Sequence, residues 1–350
     1  MSHYNCYKKH LENVSRSFSF CIAELNEPLR SQVGLAYILC RILDTIEDAH
    51  WSHSSEQSSA YNFFLNSLEA SGSTNSPTVL KSSFEQWQSS FPISIPDTEK
   101  ALLLDFPLFL SHIKELSENA QKAVVKSVSN MARGMIHFSK TNPFAEKNIL
   151  PSLPETNLYC FFVAGVVGEL LTDLASELDN NFNRDSDGLK KSVHFGLFLQ
   201  KINILKDQQT DESEGRFFVG SREQIMTSLK IDAELSFAYI LSIPNSLNDY
   251  KIFCAWSFYL ALLSIPFIQK SWAEKKSFKI SRTQVFLTLN SVKSNIEDNR
   301  WLENLFLKLS NNLVGPTQIA VIHNNSPLNI DWVFDSYRGD LKIKEFSFIS

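Results

Sequence analysis

Asp44, Glu47 and Asp48 stand within five residues of one another, and Asp207 and Asp211 repeat the outer spacing much later in the chain. On a helix, a four-residue spacing puts two carboxylates on one face, offset by about 40° and separated by about 6 Å of rise. Both acidic rows follow strongly apolar segments, where a carboxylate is costly unless a cation neutralises it. Two rows of carboxylate oxygens facing one cavity are what a hard divalent ion takes, Mg²⁺ above all. Such ions suit a diphosphate ligand, because they bridge carboxylates to phosphate oxygens and neutralise charge as the diphosphate leaves. Basic residues should complete such a site. Arg41 lies one turn before Asp44, Lys206 adjoins Asp207, and Arg16 and Arg216 flank other helix ends. A single acidic pair at this spacing is ordinarily a solvated face with salt bridges. Two pairs, each embedded in apolar helix, reverse that weighting.

The elements that must position these rows read as helices. The chain has 350 residues with only 11 Gly and 12 Pro, and long amphipathic segments predominate, so the fold class expected is all-α in one domain over 1–350. Helices are expected over 14–25, 28–48, 97–117, 119–139, 157–178, 190–211, 221–242, 247–274 and 283–311. One short helix is expected at 60–70, between Ser-, Asn- and Pro-rich loops at 51–60 and 70–98. Gly165 and Gly168 thin one face of the 157–178 helix, so another helix or a ligand can come close. Residues 179–188 form a polar linker that imitates a calcium loop, but its twelfth position is His194, where a bidentate Glu is required, so calcium is rejected. Residues 214–218 read as a mobile flap.

The bulk composition excludes several classes. The net charge is −5 and no run of Lys and Arg occurs, which excludes nucleic acid as the expected partner. The five cysteines form no CxxC pair and read as buried thiols of a reducing cytoplasm. The polar first ten residues lack a signal-peptide core. Ile252 to Ile268 is at the short limit for a membrane span and is interrupted by Pro266, so it reads as a buried helix. The 27 Phe residues supply either an aromatic core or the walls of a cavity for a greasy ligand.

The acidic rows belong to a longer ordered set of motifs. Ser15-Arg16-Ser17-Phe18 is followed by Tyr37-Ile38-Leu39-Cys40-Arg41-Ile42-Leu43-Asp44-Thr45-Ile46-Glu47-Asp48. Then come Tyr159-Cys160-Phe161-Phe162-Val163-Ala164-Gly165-Val166-Val167-Gly168 and Gly196-Leu197-Phe198-Leu199-Gln200-Lys201-Ile202-Asn203-Ile204-Leu205-Lys206-Asp207. Phe253-Cys254-Ala255 and Phe278-Lys279-Ile280-Ser281 close the set. On these residues the chain resembles the squalene and phytoene synthase family, and more closely its squalene synthase branch. The resemblance spans residues 14 to about 290.

The resemblance implies a single isoprenoid synthase helical bundle around a central hydrophobic channel. It implies a Mg²⁺-dependent head-to-head joining of two farnesyl diphosphates to presqualene diphosphate, then an NADPH-dependent rearrangement to squalene. The alternative outcome is presqualene diphosphate, dehydrosqualene or phytoene, without hydride transfer. Under the resemblance, Asp44, Glu47, Asp48, Asp207 and Asp211 hold Mg²⁺, and Arg16, Arg41, Lys206 and Arg216 contact diphosphate. Tyr159 serves the proton-loss step. Phe18, Tyr37 and Phe198 line the channel and steady cations with their ring faces. Gln200 and Asn203 position pyrophosphate or nicotinamide, and Lys206 and Lys279 belong to the cofactor side. Three positions depart from the squalene synthase pattern: Thr210 stands for an inner Glu of the second row, Lys206 for an Arg, and Ser281 for an Arg, with Arg282 adjacent. A soluble monomer is expected, cytoplasmic and without an anchor, that touches a membrane at its periphery because the product is an oil.

Overall fold

The computed structural model describes residues 3–72, 81–140, 148–149, 153–182, 185–213, 216–217, 222–311 and 313. Residues 16, 17, 139, 140, 148, 149, 209–213, 216 and 217 are described by backbone alone. The chain forms two compact units, Met1–Lys140 with Asp173–Leu178, and Thr141–Thr172 with Asp179–Ser350. The first acidic row belongs to the first unit and the second row to the other.

The first unit contains α1 (Tyr4–Val14), α2 (Arg16–Glu24), α3 (Leu29–Asp48), α4 (Ser54–Ser71), α5 (Lys81–Ser89), α6 (Asp97–Leu104), α7 (Phe106–Ile113) and α8 (Glu118–Lys140). Ser15 starts α2, its hydroxyl accepting the Phe18 N–H as an N-cap should. α3 follows Pro28 and buries Val33, Leu35, Ala36, Ile38, Leu39, Ile42, Leu43 and Ile46.

The sequence places a loop over 51–60, where α4 begins at Ser54. Polar composition conceals this helix. Its inner face is nonetheless regular, with Ala60, Tyr61, Phe64, Ser67, Leu68 and Ser71 buried, and His53 and Glu56 make a capping box at its start. α5 likewise lies inside the expected 70–98 loop. Trp87 anchors it, donating its indole N–H to Ala60 O at 3.0 Å and packing on Phe106 with ring centroids 5.3 Å apart. The helix expected over 97–117 is broken at Asp105, and Pro107 opens α7 as an N-terminal proline does. α1 precedes the first helix foreseen.

The second unit contains α9 (Leu153–Cys160), a π-helical turn (Phe161–Gly165), α10 (Val166–Ser176, whose last residues belong to the first unit) and α11 (Ser186–Ser213). It continues with α12 (Arg222–Ser242), a 3-10 turn (Asn245–Leu247), α13 (Asn248–Glu274), α14 (Arg282–Ser294) and α15 (Asn299–Ser310). Two-residue strands β1 (Asn148–Ile149) and β2 (Arg216–Phe217) pair in parallel, so part of the expected flap is strand. The helix expected over 283–311 breaks before Asn299, where the Asp298 carboxylate accepts the N–H groups of Arg300 and Trp301. That carboxylate caps a new helix rather than prolonging the old one.

The glycine reading holds in detail. A methyl group on Gly168 would sit 2.0 Å from Ser192 O, and one on Gly196 would sit 2.2 Å from Ala164 O. Glycine is therefore required for α10 and the π turn to approach α11 backbone to backbone. Gly168→Ala must push those helices apart and is expected to cost about 3 kcal/mol, the upper end for overpacking, measured as a lower urea midpoint.

Leu153–Ser176 and Asn245–Glu274 are long and apolar enough to cross a membrane, and 83% and 61% of their most apolar windows are buried inside the protein. That agrees with reading Ile252 to Ile268 as a buried helix. The cysteines divide: Cys21, Cys160 and Cys254 are buried, Cys40 is half-buried, and Cys6 is exposed, against expectation, because α1 turns it away from Tyr7 and Leu11.

Candidate functional site

In the first unit the site grows from α3. Its apolar face is buried, so Arg41, Asp44, Glu47 and Asp48 fall on the opposite edge. Arg41 Nη1 lies 3.6 Å from Asp44 Oδ2, while its Nη2 pairs with Glu99 of α6. The Thr45 hydroxyl donates back to Arg41 O at 2.9 Å. Burial of the Asp44 carboxyl pushes its pKa up to about 7. Arg41 opposes the shift, and Asp48 and Glu99 add to it. The side chain still keeps 37% of its surface open, so the carboxyl is crowded by protein on one side and reachable from the other. Glu47 is half-buried and Asp48 exposed.

The end of α3 is tied down by residues that the sequence reading passed over. Trp51 Nε1 and Gln57 Nε2 both donate to Ile46 O, at 2.8 and 3.1 Å, and Gln57 also reaches Glu47 O at 3.3 Å. These donors satisfy terminal carbonyls that would otherwise add negative charge beside the acidic row. Tyr61 of α4 is fully buried and within electrostatic reach of Glu47, Asp44 and Asp48. Tyr37 packs on Phe18 with ring centroids 5.6 Å apart. Burial raises its phenol to about 12, against a hydrogen bond with Ser15 that lowers it. The side chain of Arg16 lies outside the described residues.

In the second unit the site grows from α11. Asp207 is exposed and lies 3.3 Å from Lys206 Nζ, itself exposed, a pairing worth little by itself. Gln208 is buried and accepts a hydrogen bond from Arg222 Nε. The Arg222 guanidinium sits over the Trp272 ring, 5.0 Å from its centroid, and Trp272 Nε1 donates to Leu205 O at 3.2 Å. Arg222 is thus a cation beside the second row that sequence reasoning missed. The only signal was its place at the start of α12. The side chains of Asp211, Thr210 and Arg216 lie outside the described residues.

Phe198 is fully buried against Phe258, with centroids 5.2 Å apart, Gln200 is half-buried, and Asn203 is exposed. Tyr159 is buried on α9, directly before the π turn, a distortion often found at functional positions. Lys279 is exposed between α13 and α14. No hydrogen bond or ion pair among the described residues joins it to Asn203 or Lys206. Nearby, Lys270 and Lys276 stand over the Phe278 ring, at 4.3 and 6.0 Å from its centroid. Ser281, which stands for the Arg of the squalene synthase pattern, caps α14 by accepting the Gln284 N–H.

The second unit also holds a buried charged network between α11 and α12. Asp232 of α12 accepts from Lys201 Nζ at 2.6 Å and is bonded to His194 Nδ1 at 2.7 Å, both from α11. Lys201 also donates to Ser228 Oγ at 2.9 Å. Burial alone would raise the Asp232 pKa, but Lys201 and His194 together hold it below the ordinary aspartate value.

Comparison with known proteins places these elements in a family. The squalene/phytoene synthase family model matches residues 11–223, more than half of the chain, and the protein belongs to that family. The squalene synthase of Cyberlindnera jadinii is 30% identical over 218 residues, covering 61% of this chain and 44% of that protein. Squalene synthase ERG9 of Saccharomyces cerevisiae is 31% identical over 211 residues, covering 59% and 43%. The chain therefore spans less than half the length of these curated relatives. Among solved structures, a TcSQS complex with the ligand BPH1237 superposes with a TM-score of 0.69 at 22% identity, over 90% of this chain and 93% of that one. A dehydrosqualene synthase complex gives 0.58 at 17%, over 84% and 96%. These likenesses establish the all-α isoprenoid synthase fold.

Proposed function

We propose that the protein is a squalene synthase that joins two farnesyl diphosphates head to head to presqualene diphosphate and then reduces it to squalene. The observation that carries the reading is the Arg41–Asp44–Glu47–Asp48 constellation. Burial, with Asp48 and Glu99 adding to it and Arg41 opposing it, raises the Asp44 carboxyl to about 7, an arrangement that gains from a divalent cation. Asp44, Glu47, Asp48, Asp207 and Asp211 would hold Mg²⁺, whose charge would favour departure of the diphosphate. Arg41 is steered by Glu99 so that it can meet both its own acid and a phosphate oxygen. Arg16, Arg216 and Lys206 are assigned to the remaining diphosphate oxygens.

Tyr159, buried beside the π turn, is assigned to the proton lost when the cyclopropane closes. Phe18 and Tyr37 present ring faces to the allylic cation, and Phe198 is assigned with them. Gln200 and Asn203 orient the leaving group or nicotinamide. Lys279 fits the NADPH phosphates as one of a basic group with Lys270, Lys276 and Arg282, and NADPH would supply the hydride of the second half-reaction. The reading includes one catalytic domain acting as a monomer in the cytoplasm, in peripheral contact with a membrane that receives the oil.

A second reading is favoured by one observation: Ser281 works as a helix cap in place of the Arg seen in the squalene synthase pattern. In it, the enzyme releases presqualene diphosphate or dehydrosqualene. Purified protein incubated with farnesyl diphosphate and Mg²⁺, with and without NADPH, separates the two. Squalene formed only with NADPH supports the first reading. A product profile indifferent to NADPH selects the second, and no consumption of farnesyl diphosphate overturns both.

A further inference from the structure

His3, His112 and Glu115 each bring one ligand atom into a cluster in which these atoms lie within 4.8 Å of one another. They come from two distant parts of the sequence. His3 is the residue before α1, His112 lies in the last turn of α7, and Glu115 follows three residues later. His3 Nε2 is 2.9 Å from Glu115 Oε2, and the two imidazole rings are 4.0 Å apart at their centroids. The hydroxyl of Tyr7, almost fully buried, is bonded to His112 Nδ1 at 2.7 Å. That bond occupies one ring nitrogen, fixes the ring's orientation and leaves Nε2 as the second donor. A metal-bound histidine is typically held this way, by a partner on its other nitrogen.

Two imidazoles and one carboxylate are a ligand set for Zn²⁺, which takes three protein ligands and a water in a tetrahedron. They are a poor set for Mg²⁺, which demands oxygen. The cluster shares no residue with either acidic row. We propose that His3, His112 and Glu115 form a Zn²⁺ site that clips α1 to the end of α7.

The test uses the full chain freed of any affinity tag, titrated with Zn²⁺ by calorimetry in excess Mg²⁺, so that the acidic rows are masked. The result expected is one zinc ion per chain that Mg²⁺ does not displace, with a rise in Tm of several degrees. His3→Ala, at a half-buried side chain, and Glu115→Gln, at an exposed one, leave the core intact and should each weaken the affinity at least about tenfold and abolish most of the Tm shift. X-ray absorption of the bound ion should show two imidazole nitrogens. Absence of zinc binding, or equal affinity in both variants with unchanged circular dichroism, overturns the proposal. Turnover of farnesyl diphosphate plays no part in the readout.

Discussion

Asp44→Asn is expected to cut turnover of farnesyl diphosphate by at least ~10³-fold, equivalent to about 4 kcal/mol of transition-state stabilisation. The amide keeps the shape and loses the charge that would hold Mg²⁺ against a departing diphosphate. The same change should leave the metal-free protein as stable as before or more so. The folded-state pKa of Asp44, about 7, lies above the value for a free aspartate, so folding favours its neutral form. Below the free value both states are protonated and the group contributes no pH dependence. As the pH rises from there through 7, the folded state must give up a proton it prefers to keep, and stability falls. Asn mimics the protonated form. The difference in Tm between variant and wild type, in a chelator, should therefore be small near pH 4, grow as the pH rises through 7, and favour the variant fully at pH 8. Undiminished turnover would remove Asp44 from the metal site. A variant less stable at pH 8 than at pH 4, relative to wild type, would show that the pairing with Arg41 outweighs the burial of Asp44.

Asp232→Ala is expected to give the largest loss of stability, about 3–5 kcal/mol, because it leaves the buried Lys201 charge with only Ser228 for company. Replacing Lys201 with Met and Asp232 with Leu together should cost far less than the single change, since removing both charges also removes their desolvation penalty. Urea denaturation of Lys201→Met, Asp232→Leu and the double variant forms the required cycle. Additive losses would mean that the pair is not coupled. Asp232 is held below the ordinary aspartate value, so its contribution is present above the pH at which a free aspartate ionises, about 3.9. It is lost as the pH falls through the lower folded value.

Much of this was legible in the sequence because it was local. The four-residue acidic spacing, the apolar face of α3 and the small residues at 165 and 168 each declare themselves within one or two helical turns. What escaped depended on pairs distant in sequence. Arg41 is governed by Glu99, and nothing near residue 41 names that partner. Asp232 reads as an ordinary polar residue of α12 until Lys201 and His194 are found against it. The Ser-rich start of α4 concealed a helix whose burying face is set by Tyr61, Phe64 and Leu68. The break at Asp105 was signalled by Pro107 but outweighed by apolar periodicity on both sides. The division of 283–311 turned on a single capping aspartate, Asp298.

The unequal exposure of the cysteines makes the protein its own unfolding gauge. Cys6 alone among the five is exposed, and burial holds the Cys40 and Cys160 thiols well above the ordinary range, so neither forms the reactive thiolate near neutral pH. A maleimide dye should therefore label the native chain once, on α1. Each further label would mark a local opening, and its address would tell which part opened. Cys21 and Cys40 report the first unit, and Cys160 and Cys254 the second. Mass spectrometry of timed labelling in rising urea would then read the order in which the two units come apart, without introducing a single foreign residue.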